Sequence, residues 1–96
     1  MGHQISATLK NGKNEEQLIL FVTDESGIAS MIHMNTKDAL RLQYDLLSSH
    51  FDEHTGPIRF SFDSGERTFE WSYEVWTAAF GAMDPWYEQH LIPNYF

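Results

Sequence analysis

The sequence predicts an α+β fold: an antiparallel sheet of about five strands, in the order β-β-β-α-β-β-α, with helices packed on one face. Three observations predict it. Residues 35–51, NTKDALRLQYDLLSSHF, carry the clearest long helical period. Leu40, Tyr44, Leu47 and Phe51 share a stripe, flanked by Ala39, Leu42 and Leu46, and a stripe of that width must be buried against something. Residues 58–62 and 68–73 alternate in period two on either side of Ser64-Gly65, as a hairpin does. Residues 17–23, QLILFVT, are apolar on both faces. They suit either a central strand covered on two sides or a one-sided sheet with a dimer contact.

The elements follow in order. Residues 4–9 alternate with Ile5, Ala7 and Leu9 on one face, a first strand. Asn11-Gly12 then offers a type I′ turn, since both residues tolerate positive φ. After the strand at 17–23, Asp24-Glu25-Ser26-Gly27 signals a turn, and residues 28–33 return as a third strand. The helix that follows has Asn35 or Thr36 as its cap and Asp38 at the positive end of its dipole. Gly56 and Pro57 end it. Pairing across Ser64-Gly65 sets Phe60 opposite Phe69, Ile58 opposite Trp71, and Arg59 opposite Glu70. One face of the hairpin is then aromatic and the other carries opposite charges. In residues 74–96, Val75, Trp76, Ala79, Phe80 and Met83 keep helical spacing, while Gly81 weakens it. Asp84-Pro85 reads as a restart, with Asp84 as cap and Pro85 in the first turn of a short helix over 86–92 stopped by Pro93. No repeat or linker divides the chain, so residues 1–96 form one domain.

The formal charge is −8, and after Arg67 the chain has no Lys or Arg. That field repels phosphates and anionic lipid, which argues against direct nucleic-acid or membrane partners. No apolar run approaches the ~20 residues of a bilayer span, and the first residues lack a signal-peptide pattern. Met1-Gly2-His3-Gln4-Ile5-Ser6 matches the bare myristoylation pattern, but residue 6 belongs to the expected first strand. Cysteine is absent, which removes disulfides, thiol catalysis and thiolate metal sites and fits a reducing, cytoplasmic setting.

One literal motif bears on chemistry. His50-Phe51-Asp52-Glu53-His54 fits H-x-x-E-H, a zinc-peptidase pattern that needs both imidazoles on one helix face and a carboxylate to activate water. Thr55-Gly56-Pro57 follows at once, so the helix is expected to end inside the motif, leaving a polar helix end where histidine suits the dipole. His3, His33 and His90 are scattered, no serine sits in a nucleophile elbow, and the dispersed glycines make no phosphate loop. No catalytic residue, metal or cofactor is therefore expected.

Aromatic residues concentrate in the final third. Trp71 and Trp76 suit the core, whereas Trp86, Tyr87, Tyr95 and Phe96, interleaved with Glu74, Asp84 and Glu88, suit a contact surface. The expectation is a small acidic protein-binding module acting on a basic partner or through homodimerisation, with those seven residues carrying the contact. Inhibitors, immunity proteins and antitoxins share this size and charge, an analogy of composition alone. The alternative is a small-molecule carrier or small enzyme with an aromatic-lined pocket between sheet and helix.

Overall fold

The computed structural model describes residues 4–13, 17–62 and 65–95, with 90–95 described by their backbone. The elements run β1 (Ser6–Asn11), β2 (Gln17–Thr23), β3 (Ala29–Asn35), α1 (Thr36–Phe51), β4 (Ile58–Phe62), β5 (Arg67–Trp71) and α2 (Tyr73–Tyr95). The order and the α+β class are those expected. The five strands divide between two antiparallel sheets, β1-β2-β3 and β4-β5.

In the larger sheet β2 is central, with Leu20 opposite Leu9 on one side and Ile32 on the other. Leu18, Leu20 and Val22 of β2 and Ile32 and Met34 of β3 are buried beneath the helices. The alternate residues Ile19 and Phe21 are only half-buried, and Met31 is 56% exposed. Of the two arrangements open to QLILFVT, the sheet is therefore covered on one face among the described residues. Lys10 lies over the Phe21 ring on the other, 5.4 Å from its centroid.

The first connection differs from the expected Asn-Gly turn. Asn11 stays in the ladder opposite Leu18, and the Gly12 N–H donates to the Gln17 carbonyl at 2.7 Å. The backbone comes so close that a Cβ on Gly12 would lie 2.9 Å from that of Gln17. Close approach, rather than positive φ, is what requires glycine there. The second turn forms as expected: Asp24 Oδ1 accepts from the N–H groups of Ser26 and Ile28, and Gly27 takes φ 81°.

The hairpin has the expected register, Ile58–Trp71, Arg59–Glu70 and Phe60–Phe69. The Phe60 and Phe69 rings stack at 5.2 Å, and Phe60 meets Trp71 edge-on at 4.4 Å. Residues 63 and 64 of its turn lie outside the described residues. Tyr73 belongs to α2 rather than to the aromatic face of β5, and it meets Trp76 edge-on at 5.4 Å.

Asn35 caps α1, its Oδ1 accepting from the Asp38 N–H at 2.7 Å. The buried residues of α1 are Ala39, Leu42, Gln43 and Leu46. This corrects the expected orientation: Leu40 and Leu47 are half-buried, Tyr44 is 61% exposed and Phe51 is 75% exposed. Two apolar stripes overlap on this helix, offset by about one residue, or ~100°. The core takes the one containing Gln43, whose Nε2 donates to the main-chain oxygen of Phe80 at 3.2 Å.

The expected break at Asp84-Pro85 is also corrected, since α2 continues through Pro85 and Pro93. Proline in a helix interior costs ~3 kcal/mol, by removing an N–H and crowding the carbonyl four residues before it. Here Val75, Trp76, Ala79, Met83 and Tyr87 are all buried. They form one stripe that crosses position 85, and its burial outweighs the local cost. The Gly81 carbonyl, which loses its donor, belongs to an exposed residue that water can reach. No described helix is long and apolar enough to cross a membrane.

Candidate protein-binding surfaces

The apolar side of α1 that the core leaves out is a surface in its own right. Leu40, Tyr44, Leu47 and Phe51 recur at spacings of four, three and four along a 16-residue helix, the pattern of anchors that a helix presents to a groove or to another helix. Tyr44 and Phe51 are among the most exposed large apolar side chains of the described residues. Burial of Ala39, Leu42, Gln43 and Leu46 fixes the rotation of α1, and it holds the second stripe about a third of a turn from the core. The period of the sequence marks this surface, but places it in the core, where the structure buries Ala39, Leu42, Gln43 and Leu46 instead. The offset stripe of Ala39, Leu42 and Leu46 was the signal that two faces existed.

The C-terminal candidates separate. Glu74 and Glu88 are exposed and Asp84 is half-buried. Their spacings of ten and four on a continuous α2 put all three on its outer side. Tyr87 is 8% exposed and belongs to the core, so its ring serves the chain's own packing. Trp86 is half-buried against that core, at the edge of a shallow groove shared with Leu9 and Lys10 of β1. The side chain of Tyr95, and Phe96 altogether, lie outside the described residues.

HFDEH takes a shape unlike a zinc-peptidase helix. Because α1 ends at Phe51 and Glu53 turns to φ 57°, His50 and His54 do not share a helix face. The His50 ring stacks on Phe80 at 5.0 Å, and the His54 ring stacks on Trp76 at 6.3 Å. The His54 Nε2 also lies 3.0 Å from the Pro57 carbonyl oxygen. Both imidazoles are thus engaged in packing the end of α1 against α2. No group of three or more potential metal ligands converges among the described residues.

A pocket does form between the larger sheet, β5 and the start of α2, lined in part by Val22, Ile32, Phe69 and Trp71. Its volume is about 250 Å³, below the ~300 Å³ at which drug-sized ligand sites begin. Asp24, Glu25 and Glu70 stand among its walls. No family model, curated protein or solved structure matches the chain, so no relative's chemistry can be carried onto these residues.

Proposed function

We propose that this chain is a protein-binding module that self-associates through the α1 stripe of Leu40, Tyr44, Leu47 and Phe51. The observation that carries this reading is the exposure of Tyr44 and Phe51, 61% and 75%, on a helix face with regular apolar spacing. A second copy suits that face by charge. Two α1 helices packed antiparallel about a two-fold axis bring Lys37 and Arg41, near one end, toward Asp52 and Glu53 beyond the other. All four are exposed. The contact is small, four side chains wide per copy, and below the ~800 Å² per partner of a standard interface. A weak, reversible dimer is the expected product.

The test is sedimentation velocity over a concentration series. Wild type should shift toward dimer, and Tyr44→Lys should hold the protein monomeric with unchanged far-UV circular dichroism. A wild type that stays monomeric at the highest soluble concentration sinks this reading, as does a dimer broken by Phe21→Glu on the open sheet face but indifferent to Tyr44→Lys.

A basic protein is the second reading, supported by the outer side of α2, where Glu74, Asp84 and Glu88 align with no Lys or Arg after Arg67. Acids at a rim act mainly on association rate. Glu74→Gln with Glu88→Gln should slow association with a basic partner at low salt and matter little at high salt, and Trp86→Ala should raise the dissociation rate at either.

A further inference from the structure

A broad groove in this acidic chain is walled by cations. It lies between α1 and β4, with a volume of about 700 Å³, and Lys37, Arg41 and Arg59 line it. Those are half of the six Lys and Arg residues in the sequence. None of the three side chains makes a hydrogen bond or ion pair with a described residue. Two carboxylates, Asp38 and Asp45, also line the groove, so among the described lining residues the cations are in excess, while the chain as a whole carries −8. Glu70, the residue opposite Arg59 in the hairpin, lines the separate pocket beside the larger sheet.

The β4 wall consists of four consecutive residues, Arg59, Phe60, Ser61 and Phe62. Successive residues of a strand point to opposite faces, so a groove that touches all four runs along the strand's edge. β4 pairs only with β5 among the described residues, which leaves the main-chain N–H and C=O groups of that edge without a ladder. From Asn35 to Asp45 the α1 wall is ~15 Å long, the length of about four to five extended residues.

We propose that this groove takes an extended acidic segment of a partner protein, which adds a strand to β4 and sets alternate carboxylates against Lys37, Arg41 and Arg59. Main-chain bonding to the edge supplies affinity without regard to sequence, and the cations select for acid. Phe60 and Phe62 give the intervening side chains an apolar floor. The groove shares Lys37 and Arg41 with the rim of the proposed α1 contact, so self-association would compete with the peptide, and the binding is read at dilute, monomeric protein.

The test uses a fluorescein-labelled peptide of alternating Glu and Val, its Lys-for-Glu counterpart, and inorganic pyrophosphate as competitor. The Glu peptide should bind saturably, less tightly as salt rises, and should slow amide exchange at residues 58–62. Arg41→Gln with Arg59→Gln, both exposed positions, should weaken binding roughly three- to tenfold at low salt, with far-UV circular dichroism unchanged. Tyr44→Ser, which removes the ring from the dimer contact without adding charge beside Arg41, should leave the binding as it is, which separates this site from the dimer contact. The proposal is overturned if the Glu peptide does not bind, if the Lys peptide binds as well, or if the double variant binds like wild type. Ready displacement by pyrophosphate without protection of β4 would also overturn it, since the groove would then be a site for small anions.

Discussion

Gln43 and Phe80 join the two helices: the amide Nε2 of Gln43, fully buried on α1, donates to the Phe80 main-chain oxygen of α2 at 3.2 Å. The other half of that amide has no such match, for Oε1 is buried with no partner among the described residues. A buried unsatisfied acceptor costs ~1–3 kcal/mol, and the single bond made by Nε2 offsets about 1 kcal/mol of it. Gln43→Leu should therefore be neutral or stabilising by up to about 2 kcal/mol, while Gln43→Ala, which also opens a cavity, should destabilise by roughly 1–3 kcal/mol. Urea denaturation of the two variants decides it. A Leu variant weaker than the Ala variant would mean that the amide bond specifies the packing of α1 on α2.

The two stripes of α1 should respond differently to truncation. Leu46 is fully buried, and Leu46→Ala should cost ~2–5 kcal/mol. Leu47, half-buried, should lose about 1 kcal/mol, and Phe51→Ala should fall within ~0.5 kcal/mol for the monomer. The measurement needs dilute protein, where self-association does not add to stability. A Phe51→Ala cost equal to that of Leu46→Ala would mean that α1 is rotated from the orientation described.

Replacing Pro85 tests the continuity of α2. In a continuous helix Pro85→Ala restores a donor for the Gly81 carbonyl and removes the ring's crowding, which outweighs the greater freedom of the unfolded chain. Stability should rise by ~1–2 kcal/mol, seen as a Tm gain of roughly 4–16 °C for a chain of this size. At the first turn of a separate helix the same change would be neutral or harmful, because proline is favoured there. Thermal melts of the pair distinguish these outcomes directly.

Trp76 links α2 to the segment between α1 and β4. It is fully buried, its Nε1 donates to the Gly56 carbonyl at 2.9 Å, and His54 and Tyr73 both contact its ring. Trp76→Phe should cost ~2–4 kcal/mol through lost volume and an abandoned acceptor. Amide exchange should quicken most around residues 54–58. Uniform acceleration across the whole chain would mean that the bond does nothing local.

The register of the hairpin could be read from the sequence, because period and cross-strand pairing are short-range and agree, although the second strand ends at Trp71 and does not reach Tyr73. The Phe60–Phe69 pair needed no knowledge of the rest of the fold. The orientation of α1 could not be read in the same way. Its period shows that apolar sides exist, but the choice between Leu46 and Leu47 depends on packing against α2 and the sheet, whose residues are distant in sequence. Pro85 failed for a related reason: its local preference is strong, yet Tyr87 beyond it is buried in the common core. Asn11-Gly12 carried a turn signal, but Asn11 pairs with Leu18 and Gly12 is instead needed where the chain meets Gln17. Of the acidic candidates, Glu74, Asp84 and Glu88 could be grouped on one side only once α2 was known to be unbroken.

The division of the strands into two sheets sets the grain along which this molecule comes apart. No described backbone ladder crosses from β3 to the hairpin. The hairpin is held by Phe62 and Trp71 in the core and by the Arg67 guanidinium on the His33 carbonyl at 2.9 Å. Side-chain contacts of that kind are released one at a time, whereas a ladder yields only as a unit. The β4-β5 hairpin is therefore expected to open at a free energy below that of global unfolding, read as faster amide exchange at residues 58–62 and 67–71 than along β2.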